Sequence, residues 1–223
     1  MRYPLTARYF AGVVVLLSCS EQARDPEHSE VVAASTMSLT LDGSPRCLAT
    51  ILRTGLALTA QHCVEEPGAP AAIGADRLLL HRGSTTLRVS SVVLRIERYE
   101  ILADLSGRDL ALLVVEPGEG YDGLAGGGRV LRGDIVFAST GVERVGLRSG
   151  RVRVADGQTI YTDPLVCDGD SGGALVDQSG ALVGVASWRS AECGAGSSVF
   201  TRVDAHDAWL GPFLTREPIE SGR

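Results

Sequence analysis

The segment Cys167-Asp168-Gly169-Asp170-Ser171-Gly172-Gly173, taken with Leu58-Thr59-Ala60-Gln61-His62-Cys63 upstream, decides how the rest of this 223-residue chain is read. A serine hydroxyl is a poor nucleophile at neutral pH. It becomes useful when an imidazole takes its proton and fixed N–H donors hold the oxyanion that forms. Ser171 lies between glycines, which let backbone N–H groups approach a substrate, and His62 sits beside a cysteine able to anchor its segment. Glycine-rich stretches of this kind also form ordinary turns. Here Cys167 precedes the serine and the apolar run Ala174-Leu175-Val176 follows it, which argues for a built site.

Short β-branched runs at turn-limited spacing surround both segments. The first group covers 37–41, 47–53, 56–60, 77–81, 86–97 and 109–115. The run from Thr86 changes phase, Leu87 and Val89 giving way to Val92, Leu94 and Ile96, as a β-bulge requires. Glu116-Pro117-Gly118-Glu119-Gly120 and Gly126-Gly127-Gly128 then break the pattern. A second group covers 134–140, 146–155, 159–163, 173–177, 182–188 and 198–203. Two sets of six short strands predict an all-β fold of two six-stranded antiparallel β-barrels packed side by side, joined by a glycine-rich crossing. Residues 203–214 have helix-like apolar spacing and predict a short C-terminal helix. The expected division is an N-terminal barrel over 37–120, a C-terminal barrel over 121–204, and a helix and tail over 205–223.

A net charge of −6 leaves no basic excess to displace counterions from nucleic acid, so nucleic acid is not an expected partner. All 21 basic side chains are arginines, and the absence of lysine excludes Ser–Lys dyads and Schiff-base chemistry. Residues 1–18 read as an export signal. Arg2 and Arg8 supply the positive end, and 10–17 form an apolar run too short to span a bilayer. The run ends in Leu16-Leu17-Ser18-Cys19, which resembles the lipobox of bacterial lipoproteins, whose cysteine is lipidated and begins the mature chain. An ordinary signal peptide that contains a cysteine is the competing reading. Residues 19–36, acidic at Glu21, Asp25, Glu27 and Glu30 and then small, read as a tether or propeptide. The expected location is exported, either lipid-anchored in the cell envelope or extracellular, with membrane contact only through a lipid on Cys19. Five cysteines are an odd number for an exported protein; a lipidated Cys19 leaves four, which allow three pairings.

The Ser and His segments resemble the chymotrypsin/trypsin-like serine endopeptidases, whose hallmarks are Thr-Ala-Ala-His-Cys and Gly-Asp-Ser-Gly-Gly. The second is intact here; the first carries Gln61 in place of an alanine. The resemblance covers roughly 37–214 in outline and implies a triad of Ser171 as nucleophile, His62 as base and Asp109, which opens an apolar strand, as the acid that orients the imidazole. Asp104 is the rival acid. The resemblance also implies an oxyanion hole from the N–H groups of Gly169 and Ser171, a supporting Ser187, and disulfides Cys47–Cys63 and Cys167–Cys193, each worth about 3 kcal/mol in the chain-entropy account. Asp170 stands where the family's acid pairs with an N-terminal ammonium released by cleavage, yet no such junction is present. Two partners are open for it: Val31, freed by cleavage after Glu30, or an internal arginine.

By the same resemblance Leu165 forms the floor of the primary pocket, where trypsin-type members carry an aspartate, so cleavage after Arg or Lys is not expected. Trp188 and Arg189 would form the wall. Arg189 has three open readings: it blocks the pocket, it turns inward with Ser198 to pair an acidic side chain, or it faces solvent. The expected function is a serine endopeptidase acting on polypeptides as a monomer, with no cofactor and no metal. Two alternatives remain: a protease-like binding module with an inactive oxyanion hole, and a serine esterase. The esterase rests on Gly169-x-Ser171-x-Gly173, which needs a helix after the serine and the order Ser, acid, His.

Overall fold

Twelve strands form among the described residues, and they sort into two closed antiparallel barrels. The computed structural model describes residues 26–53, 55–66, 71–95, 107–116 and 123–214. The expected signal sequence, Cys19, Asp104 and the tail from 215 lie outside the described residues. The first barrel runs β1 (Thr36–Leu41), β2 (Ser44–Arg53), β3 (Leu56–Thr59), β6 (Ala111–Val115), β5 (Thr85–Leu94) and β4 (Leu78–Arg82), and closes where β4 pairs with β1. The second runs β10 (Ala174–Val176), β11 (Leu182–Arg189), β12 (Ser198–Arg202), β9 (Thr159–Thr162), β8 (Gly146–Ala155) and β7 (Ile135–Thr140), and closes where β7 pairs with β10. The register of β5 against β6 shifts between Val89 and Ser91, where the sequence changed phase.

Three apolar clusters hold the fold together. One fills the first barrel with Met37, Leu39, Ile51, Leu78, Leu80 and Leu113, and another fills the second with Val136, Ile160, Leu175 and Phe200. The third joins the barrels: Leu52, Leu58 and Leu112 pack against Val176, Leu182, Val185 and Leu210. Leucine and valine do this work because the chain is only 5% aromatic; Phe200 is the one fully buried aromatic among the described residues. The seam has polar pins as well. Leu48 N–H donates to the Ser171 carbonyl (2.7 Å) and Thr50 Oγ1 to the Gly172 carbonyl (3.1 Å). Gly172 has φ +85°, and a Cβ there would stand 2.0 Å from the Leu48 carbonyl oxygen. Only glycine fits this crossing.

The expected tether contains helix α1 (Pro26–Ser35), which runs directly into β1. At its C-terminal end Ser35 Oγ and Thr36 Oγ1 donate back to the carbonyls of Val31 and Val32, and Arg82 donates to those of Ala33 and Ala34, which gives the carbonyls of Val32, Ala33 and Ala34 partners the helix cannot supply. Val32 is fully buried in the seam. The C-terminal helix α2 (Asp207–Leu214) follows a 3-10 turn at Asp204–His206 and buries Leu210 in the same seam. No helix among the described residues is long and apolar enough to cross a membrane.

Candidate active site

A cleft of about 750 Å³ opens at the junction of the barrels, lined among others by Arg46, His62, Val166, Asp168, Gly169, Ser171, Ser187, Trp188 and Arg189. His62 comes from the first barrel, on a 3-10 turn (Gln61–Cys63) that ends β3. The Cys47–Cys63 disulfide (Cα–Cα 6.2 Å) ties this turn to β2. Ser171 comes from the second barrel, in the tight turn before β10. Its segment is tied by Cys167–Cys193 (Cα–Cα 4.9 Å).

Gln61, the departure from the family pattern, is fully enclosed and its amide donates to the buried Glu65 carboxylate (2.5 Å). A buried carboxylate needs such a donor. Asp109, 2% exposed, lies two residues before β6. Its Oδ1 accepts the backbone N–H of His62 (3.0 Å), and its Oδ2 accepts His62 Nδ1–H (2.7 Å) and Ser187 Oγ–H (2.5 Å). The carboxylate therefore fixes both the backbone and the ring of His62, and with Nδ1 carrying the proton, Nε2 is the free base. Burial works against a charged imidazole at His62. The Asp109 hydrogen bond and charge outweigh it, Glu65 adds to them and Arg46 subtracts, so its pKa is raised above the ordinary histidine value. Ser171 Oγ–H donates to the Ser187 carbonyl at 3.3 Å, while His62 Nε2 lies 3.7 Å from Cys63 Sγ. The two residues share the cleft without a hydrogen bond between them, a looseness common before substrate binds.

The N–H groups of Gly169 and Ser171 donate to no acceptor among the described residues, and Gly169 has φ +89°. Two adjacent free donors beside a serine hydroxyl are what an oxyanion hole requires. Asp170 lies beneath them, 4% exposed. Its partners are neither Val31 nor an arginine. Gly141 N–H donates to Oδ1 (2.6 Å) and Cys167 N–H to Oδ2 (2.8 Å). Val31 is part of α1. In the uncleaved chain backbone donors satisfy the carboxylate, and no arginine among the described residues pairs with it.

The pocket residues divide differently from the expectation. Leu165 packs into the second barrel's core instead of flooring the cleft, and Val166 lines it in its place. Ser198, fully buried, accepts the N–H groups of both Leu165 and Val166 on its Oγ (2.8 and 2.9 Å) and holds this segment against β12. Ser198 is thus not paired with Arg189. Arg189 lines the cleft and forks onto Asp168. Cys47, His62 and Cys63 bring three potential metal-ligating atoms together, but the sulfurs are joined to each other and offer no thiolate.

His206 closes the 3-10 turn before α2. It is 1% exposed; its Nε2–H donates to the Gly107 carbonyl (2.8 Å) and its Nδ1 accepts from Arg95 Nε (3.2 Å). It braces the turn that delivers Asp109. No local motif marks such a long-range contact.

Residues 129–210, most of the second barrel, match the Trypsin family model. No curated protein matches the chain significantly in sequence. Among solved structures, human heparin binding protein superposes with a TM-score of 0.66 at 19% identity, over 83% of this chain and 93% of that one. A kallikrein-related peptidase 10 complex with Zn2+ superposes with a TM-score of 0.63 at 20% identity, over 82% and 96%. The fold is that of the trypsin-like serine proteases. It is not the α/β-hydrolase fold, since Ser171 is followed by strand β10 and not by a helix. Two disulfides on this fold suggest an exported or extracellular protein.

Proposed function

We propose that the protein is a serine endopeptidase. His62 Nε2 takes the Ser171 proton as Oγ attacks a peptide carbonyl, and Asp109 stabilises the imidazolium. The Gly169 and Ser171 N–H groups hold the oxyanion, and His62 then returns the proton to the leaving amine. The observation that carries this reading is the 2.7 Å His62–Asp109 bond in the same cleft as a serine flanked by two unused N–H donors. The structurally similar proteins include both a peptidase and a protein named for binding heparin, so the site and not the fold supports hydrolysis. Cleavage after Arg or Lys is disfavoured. The acids that line the cleft, Asp168 and Glu192, are solvent-exposed, and Asp168 already faces an arginine.

The test is covalent labelling by a fluorophosphonate together with hydrolysis of an unstructured polypeptide. Labelling and turnover in the native chain, both abolished by Ser171→Ala, are expected. A folded native protein that neither labels nor hydrolyses would be a binding module instead. We propose further that export ends in lipid attachment at Cys19. Cys19→Ala should then move the protein from the membrane fraction to the soluble one, and an unchanged distribution refutes the anchor.

A further inference from the structure

The mouth of the cleft holds an ion pair whose partners sit in opposite environments. The Arg189 side chain, at the end of β11, is 24% exposed, whereas that of Asp168, beside the oxyanion glycine, is 90% exposed. Arg189 Nη2 donates to both Asp168 oxygens (2.8 and 2.9 Å), Nε donates to one of them (3.3 Å), and Nη1 donates to the Ala191 carbonyl. Both residues line the cleft that contains Ser171.

The asymmetry decides which partner is exchangeable. Asp168 is already almost fully hydrated, so it loses little on leaving the pair. Arg189 is largely desolvated in the wall, anchored through Nη1, and needs a carboxylate in front of its fork. Val166 and Ala186, small and apolar, line the same cleft. A substrate side chain with a short apolar stem and a terminal carboxylate meets both requirements. A neutral isostere leaves the fork with Asp168 and gains nothing. Arg189 lies two residues along β11 from Ser187, whose carbonyl accepts Ser171 Oγ–H (3.3 Å), so the fork stands on the strand that touches the nucleophile.

Resting on the peptidase reading, we propose that Arg189 is the specificity-determining residue of the cleft. It binds the carboxylate of an acidic residue immediately before the cleaved bond, and Asp168 is the placeholder that occupies the fork until substrate arrives.

Two coumarin amides, acetyl-Ala-Ala-Pro-Glu and its Gln counterpart, test this. The native enzyme should favour Glu by about tenfold in kcat/KM, the preference shrinking in high salt. Asp168→Asn should raise the Glu-to-Gln ratio of kcat/KM several-fold. Arg189→Gln should bring the ratio to about one while both substrates are still cleaved. Equal or better cleavage of the Gln substrate, or a preference that survives Arg189→Gln, overturns the proposal. Calorimetric binding of the same two peptides, as simple amides, to the Ser171→Ala variant reads Arg189 without turnover. Tighter binding of the Glu peptide there, with a native protein that hydrolyses neither, would sink the peptidase reading and keep the carboxylate site. Equal binding of the two peptides sinks the site.

Discussion

The two walls of the cleft are built on opposite plans. On the first barrel's side the polar groups are enclosed and cross-tied. Asp109 holds the backbone and ring of His62, Gln61 covers Glu65, and a disulfide clamps the turn. On the second barrel's side the groups that would meet substrate are held lightly. Ser171 Oγ has one 3.3 Å contact, and Arg189 holds a carboxylate that is itself nearly all in water. The difference follows from what each wall must do. A proton-transfer pair is effective only when its geometry exists before the reaction. A recognition group must release its resting partner when substrate arrives. The Gly169–Ser171 turn belongs to the rigid plan despite its place on the second barrel, because buried Asp170 ties it to Gly141.

The largest break in this contrast should come from Asp109→Asn. An amide has one acceptor oxygen: with it at Oδ2 an NH2 faces the His62 backbone N–H, and flipped the NH2 faces the ring and favours the wrong imidazole tautomer. On the proposed mechanism kcat should fall by roughly 10³- to 10⁴-fold. The pH profile should change with it. In the native protein His62 must lose its proton to act as base, and its pKa is raised, so the acid limb of kcat/KM should lie above the usual histidine value of about 6.5. Asp109→Asn removes the main raising influence and leaves burial, which lowers, so the limb should move to lower pH. A limb that stays in place would mean that His62 is not the titrating base.

Asp170→Asn should cost less, and it tests whether the Gly169–Ser171 turn is as fixed as the base. The carboxylate accepts one N–H on each oxygen. An amide presents an NH2 to one of those donors and leaves a buried N–H unmet. Misplacing Gly169 N–H in this way should lower kcat by about 10²- to 10³-fold with little change in KM. Steady-state kinetics on one peptide substrate separates the two parameters, and a change confined to KM would assign Asp170 to binding. Neither substitution should alter a preference set at Arg189, which keeps the two plans distinguishable.

Legibility in the sequence followed the same divide. Positions of all twelve strands were readable because β-branched runs alternate with turn residues, and even the irregularity at Ser90 showed as a change of phase. Helix α1 was not, since Glu30, Ala33 and Ala34 look like tether composition and one buried valine supplies its anchorage. Counting from a motif placed Leu165 in the pocket. The segment 163–167 belongs to no strand, however, and it is held by a serine 33 residues away, which no local pattern records. The partners of Asp170 were invisible for a different reason: backbone N–H groups carry no sequence signature. Arg189 could be placed at the wall, but its orientation depended on Asp168, known only once the loop was folded.

The smallest effect expected sets the cleft histidine against the one behind it. His206 is buried, and desolvation is the main influence that lowers its pKa; Arg95 and Arg108 add to this, while the Gly107 hydrogen bond and Asp204 oppose it. The unfolded chain then binds more protons than the native one between the folded pKa and about 6.5. Its contribution to stability is complete above about 6.5 and is lost as pH falls. His62 has the opposite sign: its pKa is raised, so its contribution is complete below about 6.5 and lost as pH rises through the folded value. His206→Gln keeps a donor for the Gly107 carbonyl but cannot titrate. It should cost about 1 kcal/mol at neutral pH through a poorer hydrogen bond. It should also flatten the loss of stability below about pH 6.5, leaving the alkaline slope due to His62. Urea unfolding from pH 5 to 8 measures both slopes. If the acid slope persists in His206→Gln, then the carboxylates, and not the histidine bracing the Asp109 turn, govern acid sensitivity.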